Sequence, residues 1–395
     1  MISCDRRIAV VLSHPVQYYS PWFRWMAAQG IRLRVFYLWD AGVTRKRDRE
    51  FGREIVWDVD LLSGYEHEFV PNVSRKPGTH HLRGLNNPEL PGRLHAWRPD
   101  VILLFGYKYL THLRLLLNHP APLVFRGDSH LLGIDTPSVL KRWALHLVYK
   151  RFAAITYVGL ANYDYFGAFG VPPTRLFHVP HCVNASHFSA TPNVLSVTEK
   201  LREALDLHGK RIVLFAGKLI AKKRPRELLT AFLNLSDAST ALVFVGEGAE
   251  LETLKTHAAT QPGQAVRFLP FANQSEMPSR YLLADIFVLP SGGPEETWGL
   301  SINEAMHLGV PCLVSDRVGC QRDLVIEGET GWVFSTSSPD DLRRTLRRAL
   351  DDTARDAPGF RARVLKHIAG FTYAEATSGL TRAVHHATGT PLIAL

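Results

Sequence analysis

Two series of short apolar runs, each run set apart from the next by a helix-length stretch, constrain this chain more than any other feature. The first series is RIAVVLSH, IRLRVFYLW, DVILLFG, APLVFRG, AAITYVG and TRLFHVPHCVN. The second is RIVLFAG, TALVFVG, AVRFLPF, DIFVLPS, VPCLVSD and TGWVFS. Near-continuous Val, Ile, Leu and Phe without polar alternation read as strands buried on both faces. Strand and helix in alternation build a parallel sheet with helices on either side. In the first half, helices are expected near 88–97, 108–118 and 137–152. Ser20 is expected to cap an earlier helix, with Pro21 at its first position and Gly30 just past its end.

The alternation lapses after Asn184, in the mixed polar stretch ASHFSATPNVLSVTEKLREALDLHG. A chain of 395 residues is longer than one ordinary core needs. The fold class expected is therefore α/β with two doubly wound, Rossmann-like parallel-sheet domains facing across a cleft. Residues 1–184 form the first, 185–207 a linker leading into a helix, 208–372 the second, and 373–395 a terminal helix. Near the end, Ser338-Pro339-Asp340-Asp341 reads as a helix start. Leu342, Leu346 and Leu350 line one face there, and Arg343, Arg344, Arg347 and Arg348 fall off it, which reads as a solvated face rather than an anion site.

Lys and Arg number 46 against 37 Asp and Glu. Such a surplus suits nucleic acid, an anionic membrane surface or a phosphorylated small ligand. No aromatic–basic interleaving or known binding module supports nucleic acid. No run approaches the roughly 18 apolar residues of a membrane span. The opening MISCDRRIAVVLSHP is cut by His14, Pro15 and Gln17, so it reads as a buried strand rather than a signal peptide. Cys4, Cys182, Cys312 and Cys320 form no CxxC pair and have no His at zinc-ligand spacing, which points to a reducing cytoplasm.

Ligands of open parallel sheets bind beyond the carboxyl ends of the strands, so chemistry is sought in those loops. FAGKLIAKKRPRELL brings Lys218, Lys222, Lys223 and Arg224 from a strand end to a helix start, a pattern suited to a diphosphate. In FVGEGAELETL, Gly246 and Gly248 fit a tight turn as well as a ligand contact. The backbone around Phe271 in FLPFANQSEM is placed to flank a nucleobase. PEETWGLSINEAMHLGVPCLVSD holds Glu296 and Glu304. These are the acid and base of a hydrolase, two clamps on one ligand, or helix decoration. A glycosidase needs its carboxyls about 5–9 Å apart across one bond. Here Glu296 lies in a turn and Glu304 inside the following helix, which favours clamps. Gly299 and Leu300 open that helix, whose first N–H groups make an anion seat. Carboxylates beside it suit sugar hydroxyls, which donate to acceptor-only oxygens. Phosphate, lysines and two hydroxyl-binding carboxylates together describe a nucleotide sugar.

The chain here resembles a family. Glu-x7-Glu, standing as EETWGLSINE between VLPS and EAMHLGVPCLVSD, resembles the donor motif of retaining glycosyltransferases of the GT-B fold, family 4. FAGKLIAKKRPRELLTAF is similar to that family's basic loop, and FGVPPTRLFHVPHCVNASHF to its interdomain crossing. SHPVQYYSPWF and WDVDLLSGYEHEFV resemble first-domain segments of some members. The resemblance implies that Lys218 and Lys223 hold phosphate and share catalysis with Glu296, which contacts the donor sugar. Glu304 would take the ribose hydroxyls, and the Gly299 and Leu300 amides a phosphate. It also implies retention of configuration, no metal, and a final helix crossing back onto the first domain. Many members carry Arg in place of Lys218, and the first-domain glycine pair of the family is replaced by His14-Pro15.

On the acceptor side, His14, Gln17 and Tyr18 follow the first strand, and Arg126, Asp128 and His130 follow APLVFRG. An Asp–Arg ion pair fixing the loop is the plain alternative for Arg126 and Asp128. Asp58 and Asp60 of WDVD invite a metal reading, but the lysine loop already supplies the charge, so none is expected. The expected partners are a nucleotide-diphosphate sugar, of UDP or GDP type, and a sugar or lipid-linked acceptor, with no cofactor. The pathway would be polysaccharide or glycoconjugate biosynthesis. Alternatives are a nucleotide-sugar epimerase or a phosphorylase on the same fold. The run RKRDRE at 45–50 and PWFRW suggest peripheral contact with the inner face of a membrane.

Overall fold

The structure, a computed structural model, describes residues 4–41, 43, 46–47, 54–55, 58–134, 136–338 and 340–389. Among the described residues nine strands precede the linker: β1 Ile8–Leu12, β2 Leu33–Tyr37, β3 Lys46–Arg47, β4 Glu54–Ile55, β5 Glu66–Phe69, β6 Val101–Phe105, β7 Leu123–Arg126, β8 Ala154–Tyr157 and β9 Leu176–His178. Seven form one parallel sheet in the order β5-β2-β1-β6-β7-β8-β9; β3 and β4 pair as a separate antiparallel ribbon. Helices α1 Ser20–Ala28, α2 Leu90–Trp97, α3 Leu110–Leu117, α4 Val139–Tyr149 and α5 Leu160–Ala168 lie between the strands.

After helix α6 (Pro192–Ala204) the second sheet begins. Its strands are β10 Arg211–Ala216, β11 Thr240–Val245, β12 Ala265–Leu269, β13 Ile286–Leu289, β14 Cys312–Ser315 and β15 Gly331–Phe334. All are parallel, in the order β12-β11-β10-β13-β14-β15. Helices α7 Pro225–Leu233, α8 Leu251–Ala258, α9 Met277–Tyr281, α10 Leu300–His307, α11 Gln321–Leu324, α12 Asp341–Ile368 and α13 Tyr373–Ala387 complete the described chain. Both domains are parallel-sheet and Rossmann-like. In each, the strand order reverses beside the first strand, between β1 and β6 and between β10 and β13. A crevice opens at such a reversal, and it receives the loops that carry the candidate residues.

The apolar runs are buried because each sheet has a core on both faces. In the first domain one core gathers around Tyr149, Phe125 and Phe166, and the other around Trp22, Phe23 and Tyr37. The second domain has the same arrangement, with Trp298 and Tyr281 in one core and Phe215 and Trp332 in the other. All five residues of β1 and all six of β11 are buried.

Two expectations need correction. The first turn of α1 contains Ser20 rather than being capped by it. Tyr19 is the N-cap residue, with no side-chain capping bond, while Ser20 is buried and its Oγ accepts from the Tyr65 hydroxyl at 3.3 Å. PWFRW is a packing surface rather than a membrane face. Trp22 is 1% exposed and donates its Nε1–H to Thr377 Oγ1 at 2.9 Å, and Trp25 packs beside Tyr373. Asp58 and Asp60 stand in a bend and an irregular segment, not on a strand, and their carboxylates serve different partners, Ser275 and Ser63. Of RKRDRE, only the strand backbone of Lys46–Arg47 is described; the rest lies outside the described residues.

Helix α6, at the end of the expected linker, is capped by Thr191 and packs on α9 of the second domain. Helix α13 packs on β7, β8, β9 and α1 of the first domain. Helix α12 is bent at Asp356 (φ −147°), just before Pro358. Its Leu342, Leu346 and Leu350 are buried, and Arg343, Arg344, Arg347 and Arg348 pair with Asp340, Asp341, Asp237 and Glu327. Pro339 lies outside the described residues.

Candidate active site between the two domains

The loop after β10 turns through a 3₁₀ segment, Ala221–Lys223, and Arg224 then takes a left-handed conformation (φ 53°). Pro225 opens α7, and a residue before proline is held out of the right-handed helical region, so the turn is forced just where the lysines stand. Lys218, Lys222 and Lys223 all line a cavity of about 410 Å³ between the domains. The Lys223 ammonium donates to the Glu296 carboxylate, which also accepts from Ser291 Oγ at 2.6 Å. The cation and the carboxylate assigned above to separate parts of a ligand are thus joined to each other.

Glu296 lies in the turn after β13, and Gly299 ends that turn as the N-cap of α10 with φ 103°. A Cβ there would stand 2.9 Å from Leu289 Cδ2 and 3.0 Å from Val318 Cγ1. Backbone conformation and packing both exclude a side chain. Gly299 and Leu300 line the cavity at the positive end of the helix dipole. A second close approach is made by Gly246, where a Cβ would lie 2.0 Å from the Gly217 carbonyl oxygen. The GxG pair therefore lets the loops after β10 and β11 touch, and Gly246 and Gly217 both line the cavity.

Glu304, in the second turn of α10, is 3% exposed. It accepts from the Tyr281 hydroxyl at 2.6 Å and from Gln274 Nε2 at 3.5 Å. Burial lifts its pKa to about 7, against the bonds from Tyr281, Gln274 and Tyr18 that favour the ion. Tyr18 comes from the first domain and lines the same wall with Gln17. Phe271 lines the cavity as well, on the loop after β12. The two carboxylates therefore have separate surroundings, lysine and serine for Glu296, tyrosines and an amide for Glu304.

The first domain closes the other side. Thr297 Oγ1–H donates to Asp128 Oδ2 at 2.9 Å, and His181 Nε2 lies 3.5 Å from the same oxygen. Burial pushes the Asp128 pKa up, but the bonds from His181 and Thr297 and the Arg126 charge outweigh it, and the net shift is down. Burial holds the His181 pKa down, so a neutral ring donating Nε2–H to Asp128 fits the site. His130 donates from Nε2 to the Glu296 carbonyl oxygen at 3.1 Å and accepts from Leu132 N–H at Nδ1.

Arg126 is buried with its guanidinium 5.2 Å from the Trp22 ring and 5.8 Å from Tyr19, donating to the Val179 carbonyl at 3.1 Å. Among the described residues it forms no ion pair with Asp128. A second cavity, about 320 Å³, is lined by Ser13, Tyr107, Lys108, Arg126 and Ser129. Asp128 and His181 border both cavities. His14 borders neither: it bonds Ser13 Oγ at 2.9 Å, packs on Trp39, and burial lowers its pKa to about 4.

Tyr281, Gln274, Ser291, Thr297 and His181 are site residues that sequence reasoning did not single out. Tyr281 reads as an ordinary core aromatic. His181 stands within VPHCVN, quoted above only as an interdomain crossing. Among the described residues no group of His, Cys, Asp or Glu is arranged to hold a metal ion.

Residues 197–363 match the family model described as Glycosyl transferases group 1, so this chain carries a domain of that family. A GDP-mannose-dependent alpha-(1-6)-phosphatidylinositol monomannoside mannosyltransferase of Mycolicibacterium smegmatis is 28% identical over 224 residues, 55% of this chain and 58% of that protein. A D-inositol 3-phosphate glycosyltransferase of Salinispora arenicola is 26% identical over 359 residues, 78% of each chain. The first alignment thus spans little more than half of its relative. Among solved structures, Alr3699/HepE of Anabaena in complex with UDP superposes with a TM-score of 0.71 at 16% identity, covering 96% of this chain and 99% of that one. The fold is GT-B.

Proposed function

We propose that this chain is a glycosyltransferase that moves a sugar from a nucleotide-diphosphate sugar to an acceptor held by the first domain. The observation that carries the reading is the interdomain cavity. It combines three lysines, the start of α10 and two carboxylates with unlike neighbours. Lys218, Lys223 and the α10 amides suit the diphosphate, Glu296 the sugar, Glu304 the ribose hydroxyls, and Phe271 the base. The relatives named above support the substrate class, since their names specify GDP-mannose for one and an inositol phosphate for another.

In this reaction the bond from the sugar C1 to the diphosphate oxygen breaks, and its electron pair leaves with the diphosphate. The acceptor oxygen bonds to C1 and passes its proton to the departing diphosphate oxygen. Charge therefore grows on the diphosphate, where preorganised lysines and helix amides act most strongly in a water-poor cleft. That chemistry needs no metal, and retention of configuration is the stereochemical course we propose. Asp128 and His181, bordering both cavities, stand where an acceptor in the first domain would meet the donor.

A thermal-shift series with UDP, GDP, ADP and their sugars tests the donor site. One nucleotide is expected to raise the melting temperature, and a flat response to all would overturn the reading. Release of nucleoside diphosphate only when an acceptor is added separates transfer from epimerase or phosphorylase activity.

A further inference from the structure

Helix α4 turns an apolar stripe to solvent. Val139 is 81% exposed, Leu140 73%, Trp143 60% and Leu147 42%. At about 100° per residue these four fall within one sector of about 100°. The opposite side of the helix buries Leu145 and Tyr149, and Tyr149 packs on Tyr107 and Phe125. The exposed stripe is thus a second apolar face, not the one that anchors the helix.

The charged side chains of the helix segment itself have one sign. Lys141, Arg142, Lys150 and Arg151 are all exposed, and the sequence from Ser138 to Arg151 contains no Asp or Glu. Among the described residues none of these four cations forms an ion pair, whereas the arginines of α12 are paired. Lys141 and Arg142 project to either side of the stripe, so their stems can lie along an apolar surface while their heads stay in water.

We infer that α4 is a docking surface for an anionic membrane, with Val139, Leu140, Trp143 and Leu147 entering the headgroup–acyl boundary and the four cations meeting acidic lipid. An exposed apolar face ringed by unpaired cations, with tryptophan at its centre, is the pattern of an interfacial helix. A second copy of this helix is the poorer occupant, because self-pairing would set four cations against four. The inference is independent of the proposed reaction.

Flotation with phosphatidylcholine vesicles, with and without phosphatidylglycerol, tests it. The protein should float with the anionic vesicles at low salt and be released at high salt. Leu140→Gln/Trp143→Gln should lower the bound fraction about tenfold. Lys141→Glu/Arg142→Glu should lower it at least about thirtyfold. Both variants should keep the wild-type melting temperature and nucleotide response, which separates loss of docking from misfolding. Failure to float with anionic vesicles at low salt overturns the inference. So does equal flotation with pure phosphatidylcholine, or wild-type flotation of both variants. A concentration-dependent dimer that Leu140→Gln/Trp143→Gln abolishes, without flotation, would assign the face to a second copy instead.

Discussion

Glu304 titrates near neutrality because it is buried, and that has two consequences. Its pKa is raised from 4.5 to about 7. The folded state therefore holds a proton that the unfolded state has released between those values, and stability falls as pH rises through that window. The shift is worth about 3 kcal/mol. Urea unfolding at a series of pH values should show this decline in the wild type. In Glu304→Gln the decline should be shallower by about one proton. Sugar hydroxyls donate to the ionised form, so nucleotide affinity should rise as pH increases through 7, as titration calorimetry can measure. Glu296, assigned to the sugar in the proposed reaction, is held by Lys223 and Ser291. Glu296→Gln should lower kcat by roughly a hundredfold or more while nucleotide affinity changes little. Equal and negligible effects of the two substitutions would refute the assignment. The sequence singles out both glutamates and the lysines, and the structure brings them to one cavity. The grouping of Tyr281, Gln274 and Tyr18 around Glu304 was not legible there, because Tyr18 comes from the first domain and the other two from the segment after β12.

Helix α10 depends on one residue for its start. At φ 103°, with Leu289 and Val318 within about 3 Å of a Cβ position, Gly299 has no substitute. Gly299→Ala should cost about 1–3 kcal/mol of stability, read as a lower urea midpoint. It should also weaken nucleotide binding more than that loss explains, by misaiming the first amides of the helix. Twelve strands, and the helices α2, α3 and α4, were readable because apolar runs and amphipathic stretches are local signals; the edge strand β5, Glu66–Phe69, carries no apolar run and was not. The Ser20 cap was misread because the same residue can bond its own helix or a distant hydroxyl, and burial beside Tyr65 decided between them. His14 was misplaced for a related reason. A loop at the carboxyl end of a strand has two sides, and only packing against Trp39 fixes which one its side chain takes.

The two domains meet through a few polar contacts that ring the cavity. Thr297 donates to Asp128, His130 to the Glu296 carbonyl, and the Leu160 N–H to Asp323 at 3.0 Å. Two of the three end on the loop that carries Glu296, so in the proposed reaction closing the cleft would also order that loop. Thr297→Val removes a bond worth about 1 kcal/mol and leaves the donor residues themselves in place. The expected result is a larger radius of gyration in small-angle scattering and a lower transfer rate, with nucleotide affinity nearly unchanged. An unaltered radius and rate would assign closure to the remaining contacts.

Periodicity, turn residues and the spacing of charged residues were enough to determine two parallel-sheet domains and to gather the lysines and both glutamates at one sheet edge, because each is a property of contiguous segments. Tertiary structure alone decided what those residues face. It joined Lys223 to Glu296, placed Tyr18 of one domain beside Glu304 of the other, and set Asp128 and His181 between two cavities. It also buried Trp22 and left Trp143 in solvent, although both occur in helices of similar composition. No local signal distinguishes such cases, since which face of a helix is covered depends on which sheet, and which neighbouring helix, it packs against.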